Sequence, residues 1–181
     1  PAWLSSWNDG VGDALRHSQS QGTIAHLGVS LNTPRDAPPV LAHPEITVIQ
    51  APCNAWDRRM QEQGYLKTAQ DRGQCCCIRS IYLQGLLTLT PEDVVSRLPI
   101  ARQAAVRWRE VAGELRMTPK ELAMRYALTL GAPLVVGAES PAQVAETAQL
   151  AMLPPLTPRE VDALAHAMTP FVNETIVEPW Q

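Results

Sequence analysis

Short runs of apolar residues recur along the chain, and longer polar or amphipathic stretches separate them. Each run is nearly continuous rather than alternating, and it ends in glycine or a polar residue. Runs of this kind are typical of strands in a parallel sheet whose two faces are both buried under helices. The pattern predicts four such strands, near residues 23–30, 45–50, 74–81 and 133–137.

Helical patterns occupy the stretches between these runs. Apolar residues repeat at helical spacing over 9–21, and a polar helix interrupted at Gly64 is predicted over 58–72. A further helix is predicted over 100–115, where one side should pack on the sheet. The residues of that side are Ile100, Ala104, Trp108, Val111 and Leu115.

Pairs of a hydroxyl residue and proline mark helix starts. Thr90-Pro91 is followed by two acids, and in three later segments a Glu or Gln stands three positions after the hydroxyl, as in a capping box. The three segments are Thr118-Pro-Lys-Glu121, Ser140-Pro-Ala-Gln143 and Thr157-Pro-Arg-Glu160. Helices are therefore predicted to begin near 91, 119, 141 and 158. The helix after 119 is apolar on two sides and should be sandwiched, and the tail over 169–181 is predicted to be irregular.

Alternation of strand and helix indicates an α/β fold. Four parallel β/α units with right-handed crossovers can form half of an eight-stranded (β/α)8 barrel or a small open sheet. Residues 1–181 are then a single partial domain. Its outer strands would leave unpaired edges, so we expect it to associate with another half or with a second copy of the chain.

Composition and charge narrow the partners. With 181 residues and 45% hydrophobic content, the chain can bury one core. A net charge of -3 and 15 scattered basic residues argue against a nucleic-acid surface or a membrane-binding patch. No apolar run approaches the length of a membrane span and no signal-peptide pattern is visible, so a cytoplasmic location is expected.

The cysteines do not form a recognisable metal or redox motif. Cys75, Cys76 and Cys77 are consecutive, and Cys53 stands alone. Consecutive strand residues point to opposite faces, so these three cannot easily share one metal or form ordinary disulfides with each other. With no Cys-x-x-Cys pair, we predict buried, reduced thiols and no metal site.

Landmarks over residues 10–150 follow one order. They are Gly22-Thr-Ile-Ala-His-Leu-Gly-Val-Ser30, Gln50 with Asn54 and Asp57-Arg58, Arg79-Ser80 with Gly85-Leu-Leu87, and Gly137-Ala138 with Gln143 and Glu146. This order resembles the C-terminal half of the aldo-keto reductases. The closest likeness is to the branch whose seventh strand reads Arg-Ser-x-x-Leu-Gln-Gly-Leu-Leu.

The resemblance implies that the complete protein is a (β/α)8 TIM-type barrel that binds NADP(H) or NAD(H) and reduces carbonyl groups. The four predicted strands would be its fifth to eighth. The family's catalytic Asp, Tyr, Lys and His come from earlier strands and have no counterpart here, and Pro1-Ala2 resembles the residues just after the strand of the catalytic His. The resemblance therefore implies no catalytic residue in these 181 residues, and no reduction by this chain alone.

The resemblance also assigns cofactor-binding residues. At the nicotinamide carboxamide they are Ser30, Gln50 and Asn32. At the pyrophosphate they are Ser80 and the loop through Leu83 and Gln84. At the adenosine end they are Gly137, Ser140, Gln143 and Glu146.

Three positions depart from the family pattern. Arg79 stands where the family usually places an aromatic ring under the nicotinamide, and Thr147 where an Asn often meets adenine. Glu139 lies in the stretch where Lys and Arg commonly hold the 2′-phosphate, and neither has a counterpart there. This departure argues against NADP(H) relative to NAD(H) and leaves both cofactors open.

Structural alternatives stand beside these roles. Ser140 and Gln143 can be capping residues, and Ser30 and Gln50 can satisfy the ends of their strands. Arg79 can bind an anionic ligand or form a structural salt bridge. His26 is expected to be a hydrogen-bonded structural residue and not a base.

Three functions follow from these observations. The first is the cofactor-binding half of an aldo-keto reductase-like oxidoreductase. The alternative is a non-catalytic half-barrel that associates with itself or completes a barrel with a partner. A cysteine-dependent enzyme is the third hypothesis, and it requires a thiol that is reactive at neutral pH.

Overall fold

The computed structural model describes residues 6–178, so the predictions for Pro1-Ala2 and for 179–181 lie outside the described residues. Three parallel strands form a sheet in the order β1 (Gly28–Ser30), β2 (Val48–Pro52) and β3 (Cys75–Arg79). The predicted α/β class and parallel strand direction are confirmed.

Two of the predicted strands are shorter in the structure. Of residues 23–30, only Gly28–Ser30 pairs with β2, and the Thr23 amide instead donates to the Ser18 carbonyl at 3.0 Å. Of residues 133–137, Leu134 makes a single parallel bridge with Ile78. Both segments lie at the outer positions of the sheet. A strand there has ladder partners on one side only, which explains the shorter pairing.

The sheet is buried on one face, which corrects the prediction of two covered faces for the residues described. Ile49, Cys76 and Ile78 are buried under helices. Their sequence neighbours Gln50 and Cys77 are half-buried on the opposite face. Because successive side chains of a strand point to opposite faces of the sheet, alternate residues of each strand lie on the packed face and on the open face.

Residues 6–178 also contain ten α-helical segments, together with short 3₁₀ and π-helical turns. None of them is long and apolar enough to cross a membrane. The segments are α1 (Gly12–Ser20), α2 (Ala37–Ala42), α3 (Arg59–Glu62), α4 (Tyr65–Asp71), α5 (Pro91–Arg97), α6 (Arg102–Glu114), α7 (Pro119–Leu128), α8 (Pro141–Ala151), α9 (Pro158–Met168) and α10 (Glu174–Val177).

The predicted helix starts near 91, 119, 141 and 158 are confirmed. At each one, the hydroxyl of the preceding residue accepts a hydrogen bond from an amide in the first turn. The full reciprocal capping box forms at Thr157 and Glu160. Gln143 instead accepts a hydrogen bond from the Glu139 amide at 2.7 Å, so its side chain fixes the turn before α8.

The core is organised by α6 and α7. Ala104, Trp108 and Val111 are buried, but the prediction that they pack on the sheet is wrong, because their cluster contains no strand residue. Ile100 is 55% exposed, since it lies in a 3₁₀ turn before α6 begins. The prediction for α7 is confirmed, since it packs in two clusters. Leu122 and Tyr126 join the cluster around α6, and Met124 and Ala127 join the cluster under the sheet.

The chain after 169 is more ordered than the predicted irregular tail, because it contains α10 and a buried ion-pair network. Arg59 donates two hydrogen bonds of 2.8 Å to Asp57 and one of 2.7 Å to Glu174, and it also pairs with Glu178. The side chains of Asp57 and Glu178 are only 3% and 2% exposed. The tail is thereby fixed to the segment that follows β2.

The network predicts a pH-dependent contribution to stability. Burial opposes ionisation of Glu178, but hydrogen bonds from Thr33 and Arg59 outweigh it and lower the pKa of this carboxyl. A lowered pKa stabilises the fold above the unfolded glutamate pKa of about 4.3, and this contribution disappears as the pH falls through the folded value. Glu178→Gln should therefore destabilise the protein at pH 7, and the difference from wild type should shrink below about pH 4.3.

Urea unfolding at a series of pH values measures this difference. Asp71→Asn is the matched control, because Asp71 is 59% exposed and pairs with Lys67 on the surface. Its effect should be small at every pH. A Glu178→Gln deficit that stays constant from pH 7 to about pH 3 would contradict the prediction.

Candidate functional site

Ser30, the last residue of β1, and Gln50, the middle residue of β2, meet on the open face of the sheet. They are register partners, and the Ser30 hydroxyl donates to Gln50 Oε1 at 3.0 Å. Among residues 6–178 the Gln50 side-chain amide nitrogen makes no hydrogen bond, so its two N–H groups can donate to a ligand carbonyl. Asn32 follows as an exposed residue just beyond the strand.

Arg79 is the last residue of β3 and lies at the carboxyl end of the sheet. It donates to the Ser80 hydroxyl at 2.9 Å and to the Leu31 carbonyl at 2.8 Å, so it connects the ends of β3 and β1. No carboxylate pairs with it among the described residues. The salt-bridge alternative for Arg79 is therefore wrong within residues 6–178. Its guanidinium donates there to the Ser80 hydroxyl and the Leu31 carbonyl, which are both uncharged.

The loop after β3 has an unusual backbone. Ser80, Leu83 and Gln84 have φ values of 60°, 46° and 53°, and Gly85 follows at 89°. Non-glycine residues rarely adopt this left-handed region, and such positions cluster at ligand sites. Asn54 supports the loop by donating to the Ser80 carbonyl at 3.2 Å. The loop predicted to cradle a pyrophosphate is thus held in a strained conformation.

A cleft of about 730 Å³ lies beside this loop. It is within the usual range of about 300–1,000 Å³ for small-ligand sites. Its lining includes residues from two predicted groups, the pyrophosphate loop and the adenosine end. These residues are Ser80, Gln84, Gly137, Gln143 and Thr147, and Glu139 also lines it.

The other predicted residues lie elsewhere. Leu83 is 2% exposed and packs in the core, so only its backbone is available to a ligand. Ser140 caps α8. Glu146 accepts a hydrogen bond from Lys120 at 2.5 Å, which links it to the cleft wall. Ser30, Asn32 and Gln50 are not among the lining residues of this cleft.

Sequence reasoning missed two cations in the cleft. Arg97, the last residue of α5, and Lys120, in the first turn of α7, both line it. Lys120 also lies over the Tyr82 ring, 5.8 Å from its centroid. In the sequence, Lys120 belongs to a capping segment and Arg97 to a helix end. No local signal distinguished them from ordinary surface residues.

Tyr82 is a third residue that the sequence did not single out. Its hydroxyl is buried at the cleft and has no hydrogen-bond partner among the described residues. Burial raises the pKa of Tyr82 to about 12, so the phenol keeps its proton and can act as a donor. The Trp56 indole N–H and the Gln74 side-chain oxygen, which do not line this cleft, are buried without a partner among the described residues as well, so the Tyr82 hydroxyl does not by itself mark a ligand.

The cysteines do not support a nucleophilic role. Burial raises the pKa of Cys53 above its usual range and that of Cys76 to about 11, so both remain thiols at neutral pH. The prediction that the thiols are buried fails at two positions, because Cys75 is exposed and Cys77 is half-buried on the open sheet face. His26 is exposed, with Nδ1 3.4 Å from the Thr47 hydroxyl.

Comparison with known proteins identifies similar sequences and folds. A family model described as the aldo/keto reductase family matches residues 5–168. The fold is similar to the apo form of the aldo-keto reductase AKR11C1 from Bacillus halodurans, with a TM-score of 0.72 and 24% identity over 92% of this chain and 59% of that one. Its holo form matches with a TM-score of 0.67 and 24% identity, over 92% of this chain and 58% of that one.

A third solved structure gives the same result. The glycerol dehydrogenase AKR11B4 from Gluconobacter oxydans matches with a TM-score of 0.65 and 22% identity, over 87% of this chain and 53% of that one. The chain therefore spans less than two thirds of the length of these structures. No curated protein matches the sequence significantly.

Proposed function

Because the chain belongs to the aldo/keto reductase family, we propose that it supplies the cofactor-binding half of an NAD(P)H-dependent carbonyl reductase. The cleft beside the β3 loop carries this proposal, since residues expected to contact two parts of a dinucleotide line it together. The nucleotide would lie along the carboxyl ends of the strands, where parallel α/β folds bind ligands.

The fold supports a half-barrel of the (β/α)8 type. Three parallel strands and a bridged fourth segment carry helices on one face. The other face is open, and in a closed barrel it would line the interior. The complementary half is either the remainder of a longer polypeptide, a separate chain or a second copy of this one. We propose that it pairs with β1 and with the segment around Leu134.

The cleft suits the phosphates of the cofactor. Arg97 and Lys120 supply positive charge, and none of the hydrogen bonds found in residues 6–178 uses the Gln84 backbone N–H. Left-handed turns that leave amides free are known anion sites. Lys120 is paired with Glu146, and Glu139 also lines the cleft, so Arg97 is the cation on which we base a preference for the additional phosphate of NADP(H) over NAD(H).

At the nicotinamide end, the chain would bind and orient the ring. The free N–H groups of Gln50 can donate to the carboxamide oxygen, and the Ser30 hydroxyl fixes the Gln50 rotamer. When bound, the cofactor supplies the hydride. The acid that protonates the carbonyl oxygen would come from the complementary half. None of the three described tyrosines is assigned this role, because Tyr65 and Tyr126 lie on helices and Tyr82 lines the cleft.

Quenching of tryptophan fluorescence by NADPH and NADH tests the binding function, since the chain has five tryptophans. We expect saturable binding of both, with NADPH tighter. Each hydrogen bond to a charged group contributes about 1.5–3 kcal/mol, so Arg97→Ala with Lys120→Ala should weaken NADPH binding by at least about tenfold and NADH binding less.

Arg107→Ala is the matched control. Arg107 pairs with Glu110 and Glu114 on the surface of α6 and does not line the cleft, so its loss should leave both affinities unchanged. A flat response of the wild-type protein to both nucleotides would reject the binding function. Equal weakening by the control would reject the roles given to Arg97 and Lys120.

A second candidate function is a non-catalytic half-barrel that self-associates. Three exposed apolar side chains favour self-association. They are Val135, Val144 in α8 and Met152 just after α8. Exposed apolar patches often mark surfaces that contact another protein. Sedimentation equilibrium together with the nucleotide titration separates the two candidates. A stable dimer that binds neither nucleotide would favour the second, and a species that binds NADPH would favour the first.

A further inference from the structure

We propose that Asn54 is a positioning residue for the cofactor, because it holds the β3 loop (80–85) in the conformation that lines the cleft. This inference rests on the proposed function and deepens it, since the β3 loop is the segment assigned to the pyrophosphate. Asn54 follows the end of β2 by two residues and is only 1% exposed. It does not line the cleft, so it would act on a ligand through the residues that it contacts.

The side chain of Asn54 connects two loops. Its Oδ1 accepts hydrogen bonds from the backbone amides of Trp56 and Asp57, both at 2.9 Å, within the loop after β2. Its Nδ2 donates to the Ser80 carbonyl at 3.2 Å. Two N–H donors on one side require the amide oxygen there, so the amide nitrogen faces Ser80. The loop after β2 is thereby bonded to the β3 loop.

The Ser80 carbonyl is the point at which the β3 loop is held. Ser80 has a φ of 60°, and its carbonyl also accepts a hydrogen bond from the Leu83 amide at 2.8 Å inside the loop. A residue other than glycine persists in this conformation where the surrounding structure fixes it. Within residues 6–178, the Asn54 side chain is the donor to this carbonyl that comes from outside the β3 loop.

Asn54 is itself held by a buried segment. The Asn54 amide donates to the Asp57 carbonyl at 3.0 Å, so the two residues are bonded in both directions. Asp57 has a side chain that is 3% exposed and pairs with Arg59, which also joins Glu174 and Glu178. The orientation of Asn54 is therefore fixed by the fold before any ligand binds.

Two substitutions remove the donor to Ser80 and keep an acceptor for the loop after β2. Asn54→Ser retains a hydroxyl, which suits a turn but is too short to reach Ser80. Asn54→Asp retains both accepted hydrogen bonds and places an oxygen against the Ser80 carbonyl. If the binding-competent loop then falls to about a tenth of the population, the apparent affinity falls about tenfold. NADPH and NADH share the pyrophosphate, so both should weaken by the same factor.

Two measurements on the full chain test the proposal. Fluorescence titration gives the affinities for NADPH and NADH, and hydrogen exchange read by mass spectrometry on peptides covering 80–89 reports on the loop itself. We expect about tenfold weaker binding of both nucleotides in both Asn54 variants, with an unchanged ratio between the two affinities. The amides over 80–89 should exchange faster than in the wild-type protein.

Val40→Ala is the control for a loss of stability alone. Val40 is 0% exposed on α2 and belongs to the cluster under the sheet. Its truncation destabilises the core, and it should leave the two affinities and the exchange over 80–89 as in the wild-type protein.

Two results would overturn the role of Asn54. One is wild-type affinity and wild-type exchange over 80–89 in both Asn54 variants, which leaves the cofactor function intact. The other is an equal effect of Val40→Ala, which assigns the change to stability. Absence of nucleotide binding by the wild-type protein rejects the proposed function instead. Exchange over 80–89 in the Asn54 variants then still decides whether this side chain holds the loop.

Discussion

Replacing Arg59 with methionine is expected to lower the free energy of unfolding by about 3–5 kcal/mol. The guanidinium is the common partner of Asp57 and Glu178, whose side chains are almost fully buried. Removing it takes their shared cation from both buried carboxylates. The exposed Arg35 still pairs with Glu178, so the desolvation of these charges is then compensated only in part. Because domain stabilities are about 5–15 kcal/mol, a loss of this size would leave a marginal fold.

Urea unfolding of Arg59→Met and Arg35→Met provides the comparison. Arg35 pairs with Glu174 and Glu178 as well, at 3.1 and 3.4 Å, but its side chain is 54% exposed. Water screens an exposed pair, so Arg35→Met should cost less than about 1 kcal/mol. If the two variants lose the same free energy, the central position given to Arg59 in the network is wrong.

The parts of the fold that the sequence could predict are those set by local chemistry. Thr118, Ser140 and Thr157 each cap a helix that begins at the following proline. A hydroxyl, a proline and a polar residue within four positions satisfy the first free amides of a helix without help from distant residues. Helix starts could therefore be predicted to the residue.

Strand lengths depend on distant partners and were less predictable. The apolar run over 133–137 reads as a strand, yet only Leu134 bridges to β3, and Val135 is 45% exposed. A strand extends only where a neighbour completes its ladder, and the neighbours of an outer strand are not specified by its own residues. The same argument applies to the shortened β1.

The candidate site divides in a similar way. The family resemblance placed Ser30 and Gln50 together at the nicotinamide carboxamide, and the structure joins them by a hydrogen bond. Arg97 and Lys120 could not be predicted, because they come from an end of α5 and a beginning of α7 that meet only in the folded protein. Their charges indicate a possible anion site only when the structure shows that both residues line the same cleft.

Trp108→Ala is expected to affect both stability and the cleft. The indole is 1% exposed, and its ring centroid lies 6.4 Å from that of Trp56 in an edge-to-face arrangement. Its N–H donates to the Leu87 carbonyl at 2.8 Å. Truncating a buried tryptophan costs about 3–5 kcal/mol through lost burial and the cavity left behind. Leu87 also belongs to the 3₁₀ turn that continues into the cleft wall at Thr88 and Leu89.

The second effect follows from that connection, and it rests on the proposed nucleotide function. Without the indole, α6 loses its hydrogen bond to the turn after the β3 loop, although Arg109 still donates to the Leu89 carbonyl at 2.9 Å. The loop should therefore lose part of the strained conformation in which it lines the cleft. We expect NADPH affinity to fall about tenfold, equivalent to ~1.4 kcal/mol, in the fraction that remains folded. Urea unfolding and the fluorescence titration measure the two effects separately.

Trp108→Phe separates packing from the hydrogen bond. It keeps most of the buried ring but leaves the Leu87 carbonyl without its donor, so it should cost only a part of the alanine loss. If the hydrogen bond positions the turn, Trp108→Phe will weaken NADPH binding nearly as much as Trp108→Ala does. If packing alone positions it, the phenylalanine variant will bind like wild type. An alanine variant that loses less than about 1 kcal/mol would show that the indole is not part of the core that supports the cleft.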